Sequence, residues 1–147
     1  MQPSDIDWTD PAAQVTDHFT VGDALTLHNW GRIATEEDGA DFAKLLALCQ
    51  KMEEVRAALG CPINVHCMFR SKKYNLEQGI LKPTGDDVHA RSEACDFDCN
   101  GHLTIQQVKD KLEPKLEELG IRMEKGTTSW VHIDLRLPGP SGRYFTP

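Results

Sequence analysis

The sequence predicts an α+β domain in which helices pack on a mainly antiparallel sheet. Three observations point there. One long stretch, Asp41 to Leu59, carries apolar residues at helical spacing. The runs with strand character all fall after Pro62, in the second half of the chain. Helical and extended stretches alternate irregularly, with no internal repeat and no low-complexity tract. At 147 residues the chain fits one domain, residues 1–147, long enough to bury a core without disulfide staples.

Taken in order, residues 1–17 are polar, contain Pro3 and Pro11, and read as an irregular lead-in. Thr20 is placed to cap a short helix containing Asp23. After an acidic turn at Thr35 to Gly39, Asp41 caps a helix running to about Leu59. Phe42, Leu45, Leu46, Cys49, Met52 and Val55 form its apolar face, and Gly60 stands where a C-terminal cap belongs. Pro62 opens a predicted strand over residues 63–69. Arg70 and Ser71 stand at its end, and a loop with Gly79, Pro83, Gly85 and two aspartates leads to His89. Glu93 to Cys99 reads as a second strand. Thr104 caps a helix from Ile105 to Leu119 that Pro114 kinks or restarts. Gly120 ends it, residues 121–123 make a short strand, and Trp130 to Leu137 makes the last one. The tail, residues 138–147, reads as loop.

Composition excludes several functions. A net charge of −7 and a pI near 5.3 leave no basic stripe to neutralise phosphates, so nucleic acid is not the partner. No apolar run approaches the length of a membrane span. The start of the chain shows no signal peptide, which predicts a cytoplasmic protein or one carried to the cell wall by another route, as a phage product would be. The five cysteines, an odd count, predict reduced thiols. Cys95 and Cys99 flank Phe97 at strand spacing, which points to core packing rather than a zinc site with His102.

The chemistry concentrates between His89 and His102, where two metal patterns share Asp96. His89 and Asp96 form an H-x6-D pair that one more imidazole would complete, and His132 can supply it. Two imidazoles and a carboxylate suit a zinc that keeps a fourth position open. Asp134, two residues from His132, shares its strand face and can orient that ring or take a proton. Alternatively, Asp96, Asp98, Asn100 and Gly101 open an EF-hand-like calcium loop running to Gln107. Its last position then holds Gln where a bidentate Glu is needed.

The order of motifs resembles the zinc D-Ala-D-Ala carboxypeptidase family, peptidase M15, which includes phage endolysins. His18-Phe19 through Asp23 resembles the segment that opens the small single-domain branch, with Asp for Glu. Lys44 to Val65 resembles its helix and following strand. Arg70, Ser71 and Asn75 resemble its arginine-serine motif. His89-Ala-Arg-Ser-Glu-Ala94-Cys-Asp96 stands for H-x-x-G-x-A-x-D, and His132-Ile-Asp134-Leu-Arg136 for H-x-D-x-R. The likeness spans roughly residues 15–136.

That resemblance implies a hedgehog/DD-peptidase-like fold and one Zn2+ per chain on His89, Asp96 and His132. It implies hydrolysis of peptide bonds in peptidoglycan stem peptides, by a carboxypeptidase or an endopeptidase. Arg70 would stabilise the oxyanion or hold a substrate carboxylate, with Ser71 and Asp87 beside it at the substrate. The departures are specific. Cys67 and Met68 replace small residues before Arg70, Ser92 replaces a glycine, and Asp87 stands where serine is usual. Ser129 occupies the position, three before the last histidine, of a catalytic acid. Asp134 is the nearest carboxylate in sequence, and Glu124 is a further candidate. These changes keep open a catalytically impaired member that binds peptide or holds a structural zinc.

Overall fold

A computed structural model describes residues 1–80 and 87–147; Pro83, Gly85 and Asp86 of the expected loop lie outside them. The lead-in is more ordered than its prolines suggest. A 3-10 turn at Pro3–Asp5 is followed by a hairpin of β1 (Gln14–Thr16) and β2 (Phe19–Thr20). Val15 and Phe19 are buried and anchor it, a signal too short to stand out as periodicity. Thr20 then caps α1 (Val21–Leu25) as expected. Its hydroxyl accepts the Asp23 N–H at 3.1 Å, and the Asp23 carboxylate accepts the Thr20 N–H at 2.9 Å. A second small hairpin joins β3 (Thr26–Leu27) to β4 (Arg32–Ile33).

Helix α2 (Phe42–Leu59) has the predicted bounds. Asp41 accepts the Lys44 N–H at 3.0 Å, and Gly60 ends the helix with φ 71°, a left-handed conformation that glycine adopts at no steric cost. Leu45, Leu46, Leu48, Cys49, Met52, Val55 and Leu59 are buried, whereas Phe42 is half-buried and stacks on Trp8 at 4.6 Å.

The chain continues through β5 (Asn64–Cys67), α3 (Lys72–Glu77), β6 (Ala94–Asp98) and α4 (Ile105–Leu112). Pro114 does restart the helix. A 3-10 turn at Glu113–Lys115 separates α4 from α5 (Leu116–Leu119). Then come β7 (Arg122–Glu124), β8 (Val131–Asp134) and β9 (Tyr144–Phe145). The main sheet runs β5-β6-β8-β7-β9 and is antiparallel except for the β7–β9 pair. The tail is therefore not loop throughout. Tyr144 packs against the core, and backbone bonds from Met123 N to Arg143 O and Lys125 N to Phe145 O, both 2.7 Å, hold β9 as an edge strand.

Alternation along β6 sorts core from site. Cys95, Phe97 and Cys99 are fully buried with Val131 and Ile133 of β8, while Asp96 and Asp98 face the other way. All five cysteines are free. The architecture is an α+β fold, mixed helix and sheet, as the sequence predicts.

Candidate metal centre

Register assembles the site. Asp96 lies directly opposite His132 and Ala94 opposite Asp134, so the two acids and the imidazole occupy one face of the β6–β8 ladder. His89 reaches the same spot from a tight turn closed by the Ser92 N–H on the His89 carbonyl at 3.2 Å. Ser92 holds φ 61° in that turn, which explains why the related motif carries glycine there. Here the serine hydroxyl accepts the Asp41 N–H at 3.2 Å and ties the turn to the start of α2. A β-bulge between Val65 and Cys67 turns the end of β5 toward the turn, leaving the Cys67 thiol 3.7 Å from His89.

His89, Asp96 and His132 each offer one ligand atom, and the three atoms lie within 4.8 Å of one another. The outer nitrogens are already committed. His89 Nδ1 donates to the Met68 carbonyl at 2.8 Å, because a carbonyl can only accept. His132 Nε2 donates to Asp134 at 3.0 Å. Left facing Asp96 are His89 Nε2 at 3.3 Å and His132 Nδ1 at 2.8 Å. Two imidazoles with their far N–H groups tied to oxygen, converging on one carboxylate, fit a metal such as zinc.

The ionisation of the three follows from this geometry. Burial alone would depress His89, but the Asp96 charge and hydrogen bond overcome it and raise its pKa to about 10. His132 is also pushed down by burial and raised on balance by its bonds to Asp134 and Asp96. Burial works against ionised Asp96, yet the His89 charge and the His132 hydrogen bond hold it well below the usual carboxylate range.

Asp134 is fully buried, and Arg122 grips it with Nε at 2.7 Å and Nη2 at 2.8 Å. Burial raises its pKa, but the His132 and Arg122 hydrogen bonds lower it to about 2. Both its oxygens are engaged. Arg70 lines the same cleft, its Nη2 3.8 Å from Asp87 and its buried Nε without a hydrogen-bond partner among the described residues. Asp87 accepts the His89 N–H at 3.0 Å and the Asn75 amide, so it holds the turn as well as lining the cleft. Ser71, expected at the substrate, has a structural task. It is buried, and its hydroxyl caps α3 by accepting the Tyr74 N–H at 3.0 Å.

A cleft of about 560 Å³ opens over these groups, lined also by Glu124, Trp130, Arg136 and Phe145. Arg70 borders a neighbouring groove of about 360 Å³ as well. The family model for peptidase M15 matches residues 23–134. The chain belongs to the peptidase M15 family. No curated protein and no solved structure matches it significantly. The M15 assignment supports a peptidase, and the match takes in all three residues of the cluster.

The calcium alternative does not survive the backbone. The first two acids of that loop lie on strand β6, with Asp96 facing the imidazoles and Asp98 held by His66 at 2.5 Å. Gln107 caps α4 by accepting the Thr104 N–H at 2.9 Å, and no entering helix precedes the segment among the described residues. His102 is exposed while Cys95 and Cys99 are core, so they form no metal cluster. Three groups around the cluster were not anticipated: the Met68 carbonyl, Arg122 and Phe145. Only Arg122 left a trace, in the alternation Ile121-Arg122-Met123-Glu124 that sends it and Glu124 to one face.

Proposed function

We propose that the domain is a zinc-dependent peptidase that hydrolyses peptide bonds of peptidoglycan stem peptides, as a carboxypeptidase or an endopeptidase. The observation that carries this is the convergence of His89 Nε2, Asp96 and His132 Nδ1, with both outer imidazole nitrogens tied down. These three residues would hold the zinc, which would supply positive charge to polarise a carbonyl and make water a stronger acid. The residues around it divide the remaining work. Arg70, whose buried Nε has no hydrogen-bond partner among the described residues, donates to a carbonyl or carboxylate oxygen of the peptide. Asp87 and Asn75 hold the His89 turn. Asp134, engaged by Arg122 on both oxygens, orients His132 and is unsuited to accept a proton.

That leaves Glu124 for proton transfer. Among the cleft's carboxylates, Asp87, Asp96 and Asp134 are each bound to a cation, imidazole or amide. Among the described residues no hydrogen bond engages the Glu124 carboxylate, whose charge is felt by Lys109. With Ser129 at the position of the family's usual acid, a carboxylate on β7 takes its place in this reading. No helix of the described residues is long and apolar enough to cross a membrane.

Ser129 also supports a second reading, a module that binds peptide or holds a structural zinc without cleaving. One experiment separates the two. Stem peptides ending in D-Ala-D-Ala, and crosslinked dimers, are incubated with protein that has been chelated and then reloaded with zinc. Cleavage lost on chelation and restored by zinc supports the peptidase, and its loss in Glu124→Gln supports the proton acceptor. Peptide binding without turnover favours the non-catalytic module.

A further inference from the structure

The last strand contributes more than an edge to the sheet. β9 lies beyond residue 134, where the family match ends, yet it places Phe145 in the wall of the metal cleft. The Phe145 ring covers the Arg122 guanidinium, whose central carbon sits 3.9 Å from the ring centroid. The same ring meets His132 edge-on, with centroids 6.1 Å apart. Arg122 grips Asp134 through two hydrogen bonds, and Asp134 takes the Nε2–H of His132. Only 15 % of the Arg122 side chain remains exposed, and Asp134 is fully buried.

From this arrangement we infer that Phe145 is a positioning residue for His132. Its ring shuts water away from the Arg122–Asp134 fork, and the fork fixes the tilt of the imidazole and keeps its proton on Nε2. Charge pairs are stronger when water is excluded, so removing the cover loosens the fork without touching either partner. His132 then loses part of the orientation that points Nδ1 at Asp96. The C-terminal strand is thereby part of the site, although the family pattern stops before it. The metal consequence rests on the zinc reading above; the effect on His132 does not.

The test compares the parent with Phe145→Ala and Phe145→Tyr by two readouts. One is zinc affinity, by competition with a chromogenic chelator. The other is solvent exchange of the His132 Nε2 proton in metal-free protein, by NMR. Loss of an outer partner of a metal-bound histidine typically weakens binding 10–100-fold, and Phe145 acts one step further out. The expected changes for Phe145→Ala are therefore about a tenfold weaker zinc Kd and at least about tenfold faster proton exchange. Phe145→Tyr keeps the ring face and should stay within about twofold of the parent in both. If Phe145→Ala fails to fold, Phe145→Leu serves, with a smaller shift of about threefold in the same direction. Unchanged exchange in the Ala or Leu variant overturns the inference, as does a Tyr variant that behaves like Ala. Should the parent take up no zinc, the metal reading fails separately, and proton exchange alone decides the role of Phe145.

Discussion

At His132 each ring nitrogen meets a carboxylate, and the two carboxylates have different duties. Asp96 shares its charge with His89, whereas Asp134 is neutralised by Arg122 and serves as a fixed acceptor. Asp134→Asn keeps the volume but removes the charge that favours an Nε2 proton. Zinc affinity should fall about 10–100-fold, read by chelator competition; an unchanged Kd would show that the orientation does not matter. His89 makes the pH dependence specific. Its folded pKa is raised from 6.5 to about 10, so it stabilises the metal-free fold fully below pH 6.5 and loses that contribution as pH climbs toward 10. The melting temperature of chelated protein should therefore fall over that window, while zinc affinity rises because the metal displaces ring protons. Calorimetry in both forms checks it, and a metal-free Tm that climbs with pH would contradict it. At Ser92 two effects oppose. Glycine would relieve a left-handed backbone worth about 1–2 kcal/mol but lose a hydrogen bond worth about 1 kcal/mol. Ser92→Gly should lie within about 1 kcal/mol of the parent in urea unfolding, and Ser92→Ala should be destabilised by about 1 kcal/mol.

Among the elements, α2 was the most legible because its signals agree. An Asp cap, apolar residues at three- and four-residue spacing and a terminal glycine mark the same span. Removing the cap by Asp41→Ala should cost about 0.5–2 kcal/mol. Truncating buried Leu48 on the core face should cost about 2–5 kcal/mol. A Leu48→Ala variant as stable as the parent would mean the helix is not packed as described. The two-residue strands were harder. Phe19-Thr20 and Tyr144-Phe145 are too short for alternation to register; the first is ordered by a local hairpin with Gln14–Thr16, and the second by β7, far earlier in the chain. The tail shows the cost of reading composition alone, since three prolines and two glycines hid a strand that packs through Tyr144 and lines the cleft through Phe145.

Across the whole molecule, the motif order pointed to His89, Asp96 and His132, and the structure gathers the three at one spot. The ligand types and spacing were visible because metal chemistry restricts them to a few side chains. The environment was not. Met68 contributes a backbone carbonyl, which no side chain announces, and Arg122 reaches Asp134 only through the register of β7 on β8. The same limit hid the capping role of Ser71, which depends on where α3 begins. Elemental analysis bears most directly on the metal centre, using parent and His132→Ala protein purified without added metal and without a histidine tag. The account predicts about one zinc per parent chain and little in the variant, since three ligands define such a site. A parent that carries no zinc, and takes none up when it is supplied, would contradict it.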